Sequence, residues 1–226
     1  MKIAFCGDSF CANIHNGTWP FLIKKELNAT SIWKGTQGAN QYHILSDAKK
    51  VLITLKPDVI IFTHTDPYRL ANRHNEPLGA RPCERVYSRL LKENKNNLFT
   101  LKKTNKDNIW TAGHMYYEHL MEFGYHELTH STLVKECYKI CMEANIKHIH
   151  LFSFSTKELG FRDYNWDVQL PGSYNEKSLA RISYDYQTPD DETQDWVEKG
   201  KGHATLPNHM NYEGNKLVSK IVLDML

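Results

Sequence analysis

Four short apolar runs alternate with longer amphipathic segments along this chain, and this alternation constrains its fold more than any other feature. The runs cover residues 2–7, 31–35, 58–65 and 147–155. They are rich in β-branched and aromatic residues, which is typical of strands that helices cover on both faces. Strands that alternate with helices predict a parallel sheet between two helical layers.

The segments between these runs carry apolar residues at helical spacing. They cover residues 18–28, 42–58, 131–147 and 211–226. Thr18 and Asn211 are suited to cap the first and the last of these helices, and Pro20 falls in a first turn, where its missing N–H is tolerated. The second helix is expected to stop before Pro57.

Two segments interrupt the alternation, at about residues 70–125 and 160–205. The first is polar and basic, and the second is rich in Asp, Tyr, Trp and Gly. We interpret both as insertions into one domain that spans residues 1–226, because long insertions in such folds tend to lie over the ligand-binding edge. The stretch RISYDY, residues 181–186, is expected to form a short fifth strand.

Charge and cysteine content narrow the classes of function. A formal net charge of +2 gives no reason to expect a nucleic-acid partner. Five cysteines without regular spacing indicate reduced thiols. The N-terminal apolar run is too short for a signal peptide, and no run approaches the ~18 apolar residues of a membrane span. We therefore expect a cytoplasmic protein without a membrane partner; export without a signal, as in a virion component, stays an alternative.

Small and polar residues follow three of the predicted strands. They are Gly7-Asp8-Ser9, the stretch from Gly35 to Gly38, and Thr63 to Asp66. Ligands of parallel α/β sheets bind at the carboxyl ends of the strands, so these stretches are expected to converge. Ser9 would be a nucleophile if a base and oxyanion donors lay within reach. The candidate base is His209, just ahead of the last helix.

In their order and spacing, these motifs resemble the SGNH (GDSL-like) hydrolases. The nucleophile of that family lies in a Gly-Asp-Ser motif after the first strand, here Ser9. A glycine after the second strand supplies an oxyanion N–H, and Gly38 matches it best. The pattern H-x-N-x-x-G before the last helix matches His209, Asn211 and Gly214. The resemblance implies a three-layer, flavodoxin-like α/β/α sandwich of about five parallel strands, and ester hydrolysis.

The resemblance also implies a mechanism that needs no metal or cofactor. Ser9 would attack an ester carbonyl, His209 would move the proton, and the amides of Ser9 and Gly38 would hold the oxyanion. The expected substrate is a small-molecule or glycan ester. Six aromatic residues of the insertions would suit stacking on sugar rings or would build a small satellite core. They are Trp110, Tyr116, Tyr117, Trp166, Tyr174 and Trp196.

The sequence departs from the family pattern at two positions. Thr65 stands where the family has an oxyanion-binding Asn, so the third donor would be Thr65 or His64. Leu206 stands where an Asp usually orients the histidine. A backbone carbonyl or a distant acid would then orient His209, the acids being Asp190, Asp191 and Asp195. A catalytically weak or inactive glycan-binding or structural protein on the same scaffold is therefore the alternative function.

Asp8, Asp66 and Arg69 are expected to support the site. Asp8 is interpreted as an acceptor that ties its loop to backbone amides. Arg69 would pair with Asp66 and brace the loop after the third strand, or would meet an anionic group of the substrate. Cys11 is interpreted as a buried thiol rather than a nucleophile.

A rival motif lies at residues 126–130, which read His-Glu-Leu-Thr-His. On a helix this spacing places two imidazoles on one face as zinc ligands, with the glutamate as a base. The extended metalloprotease pattern would need a glycine where the chain has Leu133. The segment is also expected to pack on the sheet and to face away from the cleft. A zinc hydrolase is therefore the less favoured reading.

Overall fold

A five-stranded parallel sheet lies at the centre of the fold. The computed structural model describes residues 1–72, 78–93, 105–154, 169–186 and 210–226. The strands are β1 (Lys2–Gly7), β2 (Thr30–Trp33), β3 (Val59–His64), β4 (Lys147–Phe152) and β5 (Ser173–Tyr174). Their order is β2-β1-β3-β4-β5, which is the flavodoxin-like order, and every pair is parallel.

Helices connect these strands and cover both faces of the sheet. Within the described residues they are α1 (Trp19–Glu26), α2 (Gln41–Thr54), α3 (Ala80–Glu93), α4 (Asn105–His119), α5 (Phe123–Glu143), α6 (Leu179–Asp185) and α7 (Tyr212–Met225). Asn211 caps α7 as predicted, because its side chain accepts a hydrogen bond from the Gly214 N–H. Thr18 holds the cap position of α1, but its hydroxyl donates to the His15 carbonyl instead.

The strands alternate their side chains between two separate cores. Ile3 and Phe5 of β1 belong to a cluster that includes residues of α1, α6 and α7. Ala4 and Cys6 belong to a second cluster, with residues of α2 and α5. This division follows from the two-residue period of a strand. The predicted three-layer α/β/α sandwich is thereby confirmed.

The expectation of a strand at residues 181–186 is wrong. These residues fall largely in α6, and the fifth strand is the two-residue β5, which pairs with β4. The helix forms because the Ser178 hydroxyl accepts the Arg181 N–H at its start. Leu179 and Ile182 then point into the core at helical spacing.

The first insertion contains a small satellite core. Leu78, Cys83 and Trp110 form a third buried cluster between α3 and α4. Most of the second insertion lies outside the described residues. In the described part of the chain, no helix is both long and apolar enough to cross a membrane.

Candidate active site

The turn after β1 presents Ser9 at the carboxyl edge of the sheet. Asp8 directly follows β1, and its Oδ1 accepts the Phe10 N–H at 3.1 Å, which caps a single 3₁₀ turn. Asp8 and Phe10 are buried, whereas Ser9 between them is half-buried. Among the described residues, no side chain or backbone group forms a hydrogen bond with the Ser9 hydroxyl. Ser9 is therefore the accessible polar residue of this turn.

Gly7 allows β1 to lie directly against the hydroxyl of Thr63 on β3. A Cβ at Gly7 would lie 1.9 Å from Thr63 Oγ1, so a side chain has no room there. The same hydroxyl accepts the Asp8 N–H at 3.2 Å. The glycine of the Gly-Asp-Ser motif is thus required by packing, and the position of the turn is fixed from β3.

The loop after β2 packs against the same turn. The Thr36 N–H donates to the Gly7 carbonyl at 2.9 Å, and the Gly35 N–H donates to the Cys11 carbonyl at 3.2 Å. Gly38 has φ of 72°, a conformation that favours glycine. Within the described residues, the N–H groups of Ser9 and Gly38 have no hydrogen-bond partner.

The loop after β3 completes the convergence of the three predicted stretches. Arg69 Nη1 donates to the Ala39 carbonyl at 3.3 Å and lies 3.8 Å from Asp8 Oδ2. Asp66 Oδ1 accepts the Tyr68 N–H at 2.8 Å. Burial raises the pKa of Asp66, and the nearby guanidinium of Arg69 opposes this shift. Arg69 therefore links all three loops, and among the described residues Asp8 is the carboxylate with which it forms an ion pair.

Asp8 is the buried acceptor at the centre of these contacts. Its Oδ1 also accepts the hydroxyls of Ser153, at 2.9 Å, and Thr63, at 3.4 Å. Burial raises the pKa of Asp8, while Arg69 and the hydrogen-bond donors lower it. Asp8 thereby joins β1, β3 and β4 just behind Ser9.

Thr65 and His64 lie on opposite sides of the sheet edge. Thr65 is buried, and its hydroxyl lies near Asp8, whose pKa it helps to lower, although it makes no well-formed hydrogen bond to a described residue. Both ring nitrogens of His64 are engaged, with the Gln41 amide at 3.0 Å and with His150 Nδ1 at 2.8 Å. Because side chains alternate along a strand, His64 points toward α2 and α5. The expectation that His64 donates to an oxyanion is therefore dropped, and Thr65 is retained.

His209 lies outside the described residues, as do Leu206, Asp190, Asp191 and Asp195. Its successor Met210 is described and packs in the same cluster as Phe10, the successor of Ser9. Trp19 joins the two ends, because its indole N–H donates to the Phe10 carbonyl and its backbone N–H donates to Asn215 Oδ1, both at 2.8 Å. The start of α7 is thus anchored to the turn that contains Ser9.

The His-Glu-Leu-Thr-His motif does not face away from the site, contrary to expectation. It lies on α5, where His130 Nε2 donates to the Thr65 carbonyl at 2.9 Å. Glu127 Oε1 accepts the Tyr68 hydroxyl at 2.6 Å. In the part of the chain that the structure describes, no three His, Cys, Asp or Glu side chains are grouped to hold a metal ion. The motif contacts the loop after β3.

The aromatic residues have several different environments. Trp110 is buried in the satellite core, and the Tyr117 hydroxyl donates to the carbonyls of Tyr68 and Leu78. Tyr116 is half-buried, and its hydroxyl pairs with His126 Nε2 at 2.7 Å. Tyr174 is half-buried in β5, whereas Trp166 and Trp196 lie outside the described residues. Of these side chains, Trp110 is therefore excluded from stacking on a ligand.

Cys11, two residues after Ser9, is buried. Burial raises the pKa of this thiol to about 12, which keeps it protonated at neutral pH. The side chain packs between the turn and Thr63, so the expectation of a buried thiol agrees with its surroundings.

No family model matches this chain, and no curated sequence matches it either. Solved structures do match it over nearly its whole length. One is the esterase EstA from Pseudoalteromonas sp., with a TM-score of 0.50 and 10% identity over 99% of this chain and 95% of that one. A lipase from a goat rumen metagenome has a TM-score of 0.48 and 10% identity over 100% of this chain and 97% of that one. A member of the G-D-S-L lipolytic family from Veillonella parvula has a TM-score of 0.36 and 16% identity over 99% of this chain and 97% of that one. The likeness to EstA shows that this chain and that esterase share a fold.

Proposed function

We propose that this protein is a serine hydrolase of the SGNH type that cleaves esters, with Ser9 as nucleophile and His209 as general base. One observation carries the proposal. Three strand-end loops converge around a half-buried serine, and the N–H groups of Ser9 and Gly38 in these loops have no hydrogen-bond partner among the described residues. Such donors can stabilise the negative charge that develops on an ester carbonyl under attack.

In the proposed reaction, Ser9 Oγ attacks the ester carbonyl carbon while His209 accepts the hydroxyl proton. The tetrahedral intermediate collapses and breaks the bond to the alcohol oxygen, which takes the proton from His209. Water then attacks the acyl-enzyme with His209 again as base. The products are a carboxylic acid and an alcohol, and Ser9 is regenerated.

The proposed oxyanion hole has three donors of unequal strength. The N–H groups of Ser9 and Gly38 are the main ones, and the Thr65 hydroxyl takes the place of a longer amide side chain. A good oxyanion donor contributes about 3 kcal/mol to the transition state. Because a threonine hydroxyl reaches less far than an amide, we expect Thr65 to contribute less than this.

Placement of His209 near Ser9 is supported indirectly. The residues that follow each of them, Met210 and Phe10, share one core cluster, and Trp19 is hydrogen-bonded to both chain segments. Leu206 stands where the family has an Asp. A backbone carbonyl or an acid would therefore orient the imidazole of His209, the candidate acids being Asp190, Asp191 and Asp195.

The proposed substrate is a small-molecule ester or an ester on a glycan. Tyr116 supports a glycan, because this half-buried ring lies beside His126 at the loop after β3. Release of acetate from acetylated monosaccharides and from acetylated xylan, compared with p-nitrophenyl acetate, tests this finer proposal. A preference for the aryl ester alone would contradict the glycan as substrate.

The test of the reaction compares hydrolysis of p-nitrophenyl acetate by the wild type and by Ser9→Ala and His209→Asn. The control is Ser46→Ala, which removes an exposed hydroxyl of α2. Each protein is assayed with and without a chelator. We expect loss of activity in the Ser9 and His209 variants only, with no effect of the chelator.

Two results would contradict the proposal. Activity that survives in Ser9→Ala but is lost with the chelator would favour the zinc reading of residues 126–130. If no ester is hydrolysed and an organophosphonate leaves the peptide that contains Ser9 unmodified by mass spectrometry, the chain is a binding protein on this scaffold.

A further inference from the structure

The three ionisable residues of the His-Glu-Leu-Thr-His motif, His126, Glu127 and His130, all contact the loop after β3. His126 and His130 are four residues apart and so share a face of α5, and Glu127 lies beside them. His130 Nε2 donates to the Thr65 carbonyl at 2.9 Å, and Glu127 accepts the Tyr68 hydroxyl at 2.6 Å. Burial lowers the pKa of His126, and a hydrogen bond to the Pro67 carbonyl opposes this.

We propose that this motif is a clamp that positions Thr65 for the oxyanion, with His130 as its principal positioning residue. The inference rests on the proposed function. Thr65, Pro67 and Tyr68 lie within four consecutive residues of the loop after β3, and each is contacted by a different member of the motif.

His130 holds the residue whose position matters most. Its imidazole is buried, and burial lowers its pKa to about 4, so the ring is neutral at physiological pH. A neutral imidazole that donates from Nε2 has one fixed tautomer, which fixes the Thr65 carbonyl relative to α5. The Thr65 hydroxyl belongs to the same residue, so movement of this carbonyl moves the proposed donor.

Aromatic residues of α4 and α5 make further contacts that hold the same loop and the motif in place. The Tyr68 ring packs edge-on against Phe123, with ring centroids 5.3 Å apart, and its carbonyl accepts the Tyr117 hydroxyl. The Tyr116 hydroxyl pairs with His126 Nε2 at 2.7 Å. Helix α4 of the first insertion and helix α5 therefore both hold the loop after β3.

The test replaces His130 by Leu, which cannot donate, and by Gln, whose amide N–H can. A displacement of about 1 Å at a catalytic group costs ~100-fold in rate. We expect His130→Leu to lower kcat by ~10- to 100-fold with little change in KM, and His130→Gln to restore most of it. The matched control is His119→Leu, which removes an exposed imidazole of α4.

A double-mutant cycle separates positioning from general damage to the fold. In a Thr65→Val background the hydroxyl is already absent, so His130→Leu should lower kcat by less than ~3-fold. Equal losses in both backgrounds, or a Leu variant with unchanged kcat, would overturn the clamp while Ser9-dependent hydrolysis stands. If Ser9→Ala does not reduce hydrolysis, the proposed function fails first and the clamp fails with it.

Discussion

The hydroxyl of Ser153 donates a 2.9 Å hydrogen bond to Asp8 Oδ1 and so joins the end of β4 to the residue that precedes Ser9. The two residues are 145 positions apart in the chain. Asp8 is buried and also accepts the Phe10 N–H of its own turn and the Thr63 hydroxyl of β3, so the contact with Ser153 fixes the turn of the candidate nucleophile from a further strand.

Removal of this hydroxyl should therefore weaken the fold and the site together. We expect Ser153→Ala to lower the free energy of unfolding by about 2 kcal/mol, the value of a hydrogen bond to a charged group. Ser183→Ala is the control, because its buried hydroxyl has no hydrogen-bond partner among the described residues, so its loss should be neutral or stabilising. Urea denaturation midpoints measure the stability of both variants. An equal loss of stability in Ser153→Ala and Ser183→Ala would contradict the prediction.

A methyl group at Gly38 should reduce activity beyond its effect on stability. Gly38 has φ of 72° and Gly17 has φ of 90°, so alanine at either position should cost about 1 kcal/mol of folding free energy. Around Gly17 there is room, with the nearest atom 3.9 Å from an added Cβ. We expect only Gly38→Ala to lower kcat, by at least ~10-fold, because it shifts a proposed oxyanion N–H. Similar kcat values in the two variants would argue against this donor.

The buried histidines should make the protein sensitive to acid. With the Gln41 amide as donor to His64, each ring in turn donates from Nε2, from His64 to His150 at 2.8 Å and from His150 to His148 at 3.2 Å. An added proton would leave two donors facing each other. Burial lowers the pKa of His150 to about 3 and that of His130 to about 4, and it lowers the pKa of His64 well below its usual value.

The direction of the pH dependence follows from these shifts. Each of these histidines is neutral when folded and binds a proton below about pH 6.5 when unfolded, so acid favours the unfolded chain. Stability should fall as the pH drops from about 6.5 toward 4, by up to about 1.4 kcal/mol per pH unit for each histidine. The raised pKa values of Asp8 and Asp66 act in the opposite direction. The pH dependence of the wild type therefore combines both effects, and a variant that lacks one buried histidine isolates the histidine contribution.

His150→Asn keeps an acceptor oxygen near the place of Nδ1 and removes the titrating ring. We expect the stability of this variant to depend less steeply on pH than that of the wild type. His119→Asn, on the exposed end of α4, should leave the dependence unchanged. Urea denaturation between pH 7 and pH 4 measures the slopes, and identical slopes for all three proteins would exclude the histidine effect.

Gly214 should tolerate no side chain. An added Cβ would lie 2.8 Å from the Cβ of Tyr186 and 3.1 Å from that of Met210, and neither atom can rotate away. We expect Gly214→Ala to cost about 1–3 kcal/mol and to displace the chain next to His209, with lower activity as a result. An added Cβ at Gly124 on α5 would meet only the end of the Glu122 side chain, at 3.2 Å, and a side-chain end shifts more easily than a Cβ, so Gly124→Ala should cost less. Thermal unfolding of the two variants distinguishes them.

The sequence alone predicted the elements whose signals are local. The strands are continuous apolar runs, and α7 begins where Asn211 can accept the Gly214 N–H. Such signals need only neighbouring residues, and they also place Ser9, Gly38 and Thr65 at strand ends. Parallel strands bring their carboxyl ends to one edge, so the convergence of these stretches could be predicted without coordinates.

Tertiary structure decided the features that depend on distant residues. The two residues of β5 are too few to show a period, and they form a strand only because β4 offers its edge. In the same way, no local pattern tells that Ser153 would reach Asp8, or that His64 would be satisfied by Gln41 and His150. The motif at residues 126–130 specifies two imidazoles on one helix face, but the loop after β3 decides what they bind. The sequence determines the type of each side chain, whereas packing across the sheet determines which hydrogen-bond partner that side chain meets.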